Sequence, residues 1–423
     1  MSAVLTLSAN VTSMDMGRFL ELPFTVPEGT CEIHAQITVT PNRKETCIID
    51  VGLSDPLQVR GWSGSTKYDL KVGLDDATPG YLKGDIVPGE WAVLLGVYVI
   101  GEGGAEINAT ITLSGPKYRW LQGDLHLHTV HSDGAYTLAD LDRIARGVGL
   151  DFVALTDHNT VSQNLAQPAE SPVTYIPAME LTTYHGHANL FGVPIPCDDF
   201  RVQHVEDVRR LLEQAKQRGA AVSINHPYDD AGPSCQWQWG YEVPFDWLEV
   251  WNGPWRRSNQ ESLALWQSML EQGQRIIAVG GSDTHRSHPT VRHGYPTAYV
   301  YAKSRRAEDI LEAIHDGHIT LSYRPHGPRL EVRSGDAMMG DEIMPSESVS
   351  VCLEGAKPGD VVVIINEEGE IMRHAIDEPG SFQVELSHHS KQFIRAELWR
   401  HCSAANSMLV AALSNPIFIR NSH

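Results

Sequence analysis

The sequence predicts an α/β protein in three parts. A parallel (β/α) barrel over residues 118–325 is flanked by a β-sandwich over 1–117 and a β-rich domain over 326–423. Three observations carry this division. At 423 residues the chain exceeds what one hydrophobic core usually supports. Its first 117 residues alternate apolar and polar side chains in short runs, and from residue 118 apolar strand-like runs alternate with amphipathic helical periods.

In the N-terminal part the runs Cys31-Glu-Ile-His-Ala-Gln-Ile-Thr-Val-Thr40, Thr46-Cys-Ile-Ile-Asp-Val-Gly-Leu53 and Glu90-Trp-Ala-Val-Leu-Leu-Gly-Val-Tyr-Val-Ile100 are punctuated by Gly, Pro and Asp. No helical period is long enough to compete, so a sandwich is expected. In the central part, helices are expected at Leu138–Val148, Val205–Arg218, Gln260–Gln272 and Arg306–His315, between strands such as Phe152–Leu155, Ala221–Ile224 and Ile276–Val279. Strands return at Ser348–Leu353, Asp360–Asn366, Ser381–Leu386 and Gln392–Trp399, as a small antiparallel domain or an extension of the preceding sheet.

A formal charge of -20 argues against general affinity for nucleic-acid backbones or anionic membranes. The N-terminus lacks the basic region and sustained apolar stretch of a secretory signal, and no segment has about 18 uninterrupted apolar residues, so a cytoplasmic location is expected. Six cysteines, at 31, 47, 197, 235, 352 and 402, show no Cys-x-x-Cys spacing. Buried free thiols are expected, with a Cys31–Cys47 bridge as the minor alternative.

The chemistry lies at the ends of apolar runs. His126 and His128, two apart in Gly123-Asp-Leu-His-Leu-His-Thr-Val-His-Ser-Asp-Gly134, would project from one face of a strand. His158, Glu180, His226 and Asp283 each follow a further apolar run, and His285 lies two residues beyond Asp283. A lone histidine is most often an ordinary hydrogen-bonded group. Five strand ends in succession are not, because strand ends of a barrel converge on one mouth.

This pattern resembles the polymerase and histidinol phosphatase (PHP) family. The matching motifs are His126-x-His128 with Ser132-Asp133-Gly134, Thr156-Asp157-His158-Asn159, Glu180, His226-Pro227 and Gly281-Ser282-Asp283-x-His285. Arg60-Gly-Trp-Ser-Gly64, Pro79-Gly-Tyr-Leu-Lys-Gly84 and Pro88-Gly-Glu-Trp91 resemble its carbaryl-hydrolase-like branch. The resemblance implies a distorted (β/α)7 barrel and a metal-dependent phosphoesterase. It also implies a ligand allocation: His126, His128, Glu180 and Asp283 for one ion, Glu180 bridging to a second on His187 and His226, and Asp133, His158 and His285 for a third. Many members have histidine where this chain has Asp133. His187 fits the family's pattern in Gly186-His-Ala-Asn-Leu190, although His185 would project from the same face if 184–191 is a strand.

Two or three divalent ions are expected, and a donor set without thiolate suits zinc, manganese or iron. Asp133, His158, Glu180 and His285 are the expected catalytic residues around a metal-bridging hydroxide. An anionic small-molecule substrate is expected, held by Arg256, Arg257, Arg286 or Arg292 and by His131, each of which alone is more often a surface residue. Asp124 and Asp157 are either partners of the imidazoles or strand-end and turn carboxylates. Trp237, Trp239, Trp251 and Trp255 either wall a leaving group or pack the core. Ser132 and Ser63 lack the Gly-x-Ser-x-Gly elbow of a serine hydrolase.

Phosphomonoester or phosphodiester hydrolysis is the leading expectation, with carbamate, ester or amide hydrolysis on the same centre as the alternative. A metal-stabilised binding or assembly module is the non-enzymatic one. The N-terminal domain shows no chemistry of its own and is left to cover the mouth, select substrate or mediate homo-oligomerisation.

Overall fold

Strand alternation in the N-terminal part builds two antiparallel sheets. The computed structural model describes residues 2–168 and 171–420, and the chain divides into two compact units, Met1–Tyr118 and Arg119–His423. In the first, β1 (Ser2–Val11), β8 (Ala105–Ser114), β3 (Glu32–Pro41) and β6 (Asp69–Gly73) form one sheet in that order. The other runs β2 (Phe19–Val26), β7 (Gly89–Ile100), β4 (Cys47–Ser54) and β5 (Val59–Gly64). Alternate side chains of both, among them Ile33, Ile111, Ile49 and Val93, meet in one core. Arg60 is buried here, paired with Asp55 at 3.1 Å and donating to the carbonyls of Leu82 and Asp85 at 2.8 Å each, so its motif anchors a loop.

The second unit starts with β9 (Arg119–Asp124), α1 (Leu138–Val148), β10 (Phe152–Leu155), β11 (Thr174–Thr183), β12 (Gly186–Phe191), α2 (Val205–Gln217), β13 (Ala221–Ile224) and β14 (Trp247–Asn252). It continues through α3 (Arg257–Glu271), β15 (Ile277–Gly281), β16 (Thr297–Ala302), α4 (Ala307–His315) and β17 (Ile319–Ser322). The helices fall where their apolar periods place them. Thr137 accepts the Asp140 N–H at 3.1 Å to cap α1, and Gly149 closes it with φ 83°.

Strands β9 to β15 pair in sequence order in one mixed sheet. β9, β10 and β11 are parallel, as are β13, β14 and β15, but β12 is antiparallel to both neighbours. A strict alternation of strand and helix is therefore not what forms, and four α-helices are found among the described residues. Only Tyr184 and His185 separate β11 from β12, a link too short for a parallel crossover. Residues 225–246 carry Pro227, Pro233 and Pro244 and cross from β13 to β14 without a helix.

Just beyond β9 and β15 the chain pairs with itself again. The Asp283 N–H donates to His126 O at 2.7 Å and the His128 N–H to Thr284 O at 3.0 Å. This seam requires glycine at 281, where a Cβ would lie 2.4 Å from the Cβ of His126.

The C-terminal strands are β18 (Arg329–Ser334), β19 (Ala337–Met338), β20 (Glu342–Ile343), β21 (Val349–Ala356), β22 (Val361–Asn366), β23 (Gly369–Ala375), β24 (Gly380–Leu386), β25 (Phe393–Cys402), β26 (Ser407–Ser414) and β27 (Ile417–Ile419). They have an apolar core of their own around Leu330, Val351, Ile364 and Leu398. Yet β26 pairs with β17, so the sheet crosses the expected boundary at 326 and both segments fall in one compact unit. The six cysteines are free, and only Cys197 is buried. Among the described residues no helix is long and apolar enough to cross a membrane.

Asn415 ties the C-terminal segment to β15. Fully buried, it accepts the Ala278 N–H at 2.8 Å and donates to Ala278 O at 2.9 Å and Ile319 O at 3.0 Å. Asn415→Ala strands three buried backbone groups and is expected to cost about 3 kcal/mol. A urea midpoint equal to the parent's would show that this side chain carries no such load.

Candidate metal centre

The loops that follow β9, β10, β13 and β15, together with β11 and β12, bring six imidazoles and three carboxylates together. Glu180, on β11, is at the middle and has no solvent exposure. Its Oε1 lies 3.2 Å from His126 Nε2, 3.3 Å from His187 Nδ1 and 3.5 Å from His226 Nε2, and its Oε2 lies 2.6 Å from His158 Nδ1. Asp283 Oδ1 stands 3.0 Å from His128 Nε2 and 3.5 Å from His126 Nε2. At the outer edge His158 Nε2 and His285 Nε2 face each other at 3.4 Å, with Asp133 Oδ1 3.6 and 3.4 Å away respectively.

Four overlapping groups have donor atoms within 4.8 Å of one another: His126, His128 and Glu180; His126, His226 and Asp283; His158, Glu180 and His187; and His128, Asp133, His158 and His285. Every nitrogen and carboxylate donor anticipated from the sequence is in at least one. His185 is in none, and instead packs its ring against the edge of Trp239 at 5.1 Å.

The donor set fits divalent cations. His126 Nε2 is buried without a hydrogen-bond partner, although such atoms are ordinarily satisfied. Three imidazoles have Nδ1 beside an acceptor and Nε2 turned inward: His126 on Glu249 Oε1 at 2.9 Å, His226 on Cys235 O at 3.2 Å and His285 on Asp283 O at 3.0 Å. His226 and Asp283 are held at φ 25° and 51°, left-handed backbone that costs free energy in a non-glycine residue.

Electrostatics point the same way. Burial pulls the His126 imidazole down, but Glu249, Asp283 and Glu180 outweigh it and hold the group well above the usual histidine range. At His226 burial is likewise overcome by Glu180, Glu249 and Asp283, and the pKa rises to about 9. Burial would raise the Glu180 carboxyl, yet the imidazoles of His126, His187 and His158 hold it well below the carboxylate range. Burial dominates at His128, bringing it to about 4. Without a metal ion, protons on imidazoles supply the positive charge that these buried carboxylates require.

Several supporting residues escaped the sequence pattern. Glu249 and Asn252 of β14, Asn225, whose amide donates to Glu180 Oε1 at 2.9 Å, and Thr182, 2.5 Å from His158 Nδ1, all touch donors. A single acid inside the apolar run Trp247–Asn252 was the available signal. Asp157 and Asp124 serve backbone instead of imidazoles. Asp157 accepts from the Thr129 N–H, the Thr129 hydroxyl and the Ser132 hydroxyl at 2.7–2.8 Å, and Asp124 accepts N–H groups of His126, Ser282 and Gly294.

A cavity of about 990 Å³ opens over Asp133, His158 and His187, with Tyr184, Phe200 and Arg201 in its wall. The arginines expected at substrate are dispersed. Arg286 donates to Asp133 O at 3.2 Å, beside the site. Arg256 is bound to Asp229 at 2.8 Å and to Asn252 at 3.2 Å. Arg257 lies instead on the exposed side of α3, paired one turn on with Glu261, and Arg292 donates to Pro289 O. His131 bonds Ser162 at 2.8 Å. Trp237 and Trp251 are core residues, Trp239 donates to Thr183, and Trp255 packs edge-on against Trp251 at 4.8 Å.

These side chains define a candidate centre of nitrogen and oxygen donors suited to divalent metal. No family model matches the chain. Over 175 residues it is 23% identical to an uncharacterised protein of Methanocaldococcus jannaschii, a stretch covering 38% of this chain and 98% of that one. Among solved structures it is similar to a two-domain protein of Bacteroides vulgatus containing a predicted PHP-like metal-dependent phosphoesterase, at 16% identity and a TM-score of 0.41, covering 71% of this chain and 95% of that one. It is also similar to an amidohydrolase of Chromobacterium violaceum with bound sulfate and no metal, at 17% identity and a TM-score of 0.30, covering 40% and 89%. Each likeness is remote, so the side chains themselves define the chemistry.

Two outcomes follow. Because metal ligands must be deprotonated, zinc binding near pH 7 should release at least about one proton per chain from His126 and His226, and affinity should rise with pH. Calorimetry in buffers of differing ionisation enthalpy measures this, and no release would contradict it. Asp157→Ala frees the loop that ends at Asp133, and should weaken metal binding by roughly 10-fold or more. Metal titration of the variant reads the difference.

Proposed function

We propose that the protein is a metal-dependent hydrolase that cleaves phosphate monoesters or diesters. The observation that carries this is the buried cluster itself, with His126 Nε2 unpartnered and two imidazole nitrogens face to face beside Asp133. His126, His128, Glu180 and Asp283 would hold one divalent ion, Glu180, His187 and His226 a second, and Asp133, His158 and His285 a third. Zinc, manganese or iron suits these donors. Bound there, such ions supply Lewis acidity at an ester oxygen and acidify a water.

The chain's own residues do the rest. The cavity admits a small molecule beside the cluster, and its size suits a leaving group well beyond phosphate alone. Asp133, with its side chain 58% exposed, brings a carboxylate to the rim, where it can accept a proton from water. Arg286 is exposed next to it and keeps N–H groups for an anionic oxygen.

A second reading, hydrolysis of a carbamate, ester or amide, is favoured by one observation. The cavity wall carries Tyr184, Phe200 and Val202, and its one arginine, Arg201, is already paired with Asp199 at 2.7 Å. An uncharged aryl substrate would need no guanidinium clamp.

Turnover of aryl phosphates and aryl carbamates, side by side on metal-reconstituted protein, decides between them. Phosphate turnover should exceed carbamate turnover, and a phosphate rate no better than background would sink the leading reading. His126→Ala with His128→Ala should lower turnover roughly 100-fold or more. Full activity in that double variant would place the chemistry elsewhere.

A further inference from the structure

Glu249 is 2% exposed, the only acid in the apolar strand β14, and belongs to none of the four donor groups. Both of its oxygens are nonetheless engaged at the cluster. Oε1 lies 2.9 Å from His126 Nδ1, and Oε2 accepts the His226 N–H at 3.0 Å and the Asn252 amide at 3.2 Å. The same Asn252 nitrogen donates to Asp283 Oδ2 at 3.2 Å. One carboxylate thus orients the His126 ring, fastens the left-handed backbone of His226, and reaches Asp283 through Asn252.

We propose that Glu249 is a positioning residue which keeps a hydrogen on His126 Nδ1, so that the Nε2 lone pair is left for a metal ion. The proposal rests on the metal-centre reading above and adds a residue that holds no ion itself. A carboxylate only accepts hydrogen bonds, so the ring nitrogen facing it must donate. The other nitrogen, Nε2, is then the buried unpartnered atom that points at Glu180 and Asp283. A carboxylate behind a ligating imidazole also increases the basicity of the ligand.

Glu249→Gln isolates this role because size is kept and one acceptor becomes a donor. The His226 N–H and the Asn252 amide demand the oxygen of the new side chain, which turns its NH2 toward His126 Nδ1. A neutral His126 can then only accept at Nδ1, and its hydrogen moves to Nε2, where it blocks ligation. Glu249→Asp keeps the charge with a shorter reach and should restore part of the loss.

Chelator competition with zinc measures the affinity of wild type and both variants, thermal melting of the metal-free proteins controls for folding, and nitrogen-15 spectra of the zinc-loaded wild type locate the His126 hydrogen. The expected result is zinc binding about 10- to 100-fold weaker in Glu249→Gln, with intermediate loss in Glu249→Asp. Metal-free melting should be near that of wild type, with the wild-type hydrogen on Nδ1. Wild-type affinity in Glu249→Gln, or the hydrogen on Nε2 in the zinc-loaded wild type, would overturn the proposal and leave the metal centre standing. A wild-type protein that binds no divalent ion would overturn the centre, and the proposal with it.

Discussion

A carboxylate shut away from water must be matched by positive charge, and Glu180 imposes that requirement on this protein. Its two oxygens are approached by His126, His158, His187 and His226, which arrive from four separate stretches of chain, and by the Asn225 amide. No local sequence could deliver so many donors to one point. Only the side-by-side order of β9 to β15 brings those stretches together, so the charge demand of one side chain and the topology of the sheet are satisfied jointly.

The supporting groups divide the work by chemistry. Rings are oriented by acceptors behind them: a carboxylate at His126 and backbone carbonyls at His226 and His285. Loops are held by buried aspartates that accept several N–H or hydroxyl groups each: Asp124 at the seam, and Asp157, which holds the loop after β9. The long-range attraction in the cluster would be spent on collapse if these loops were soft.

Much of this was legible from the sequence, for identifiable reasons. Helices α1 to α4 lie within a few residues of their expected bounds, because each has a clear apolar stripe. His126, His158, Glu180, His226 and Asp283 stand out because each follows an apolar run, whereas Asp133 and His187 were implied only by the family resemblance. The antiparallel course of β12 was hidden, since Gly186–Phe191 is buried throughout and buried strands read alike in either direction. So was the pairing of β17 with β26, which joins residues some ninety positions apart and leaves no local trace. Glu249 is marked only as a lone acid in an apolar run, and Asn252 looks like an ordinary strand-end residue until the fold shows what it faces. Arg257 was misplaced for a simpler reason: at the start of α3 its direction is set by helical phase, and that phase sends it to Glu261 and solvent.

The seam between the chain beyond β9 and the chain beyond β15 gives the centre a second identity. The residues that pair across it, His126 and His128 with Asp283 and Thr284, include three of the donors. The backbone bonds that place those donors therefore also join the two ends of the strand run. Chemistry and pairing thus share one stretch of backbone. The glycine at 281, with no side chain to contribute, is as much a part of that fastening as any histidine.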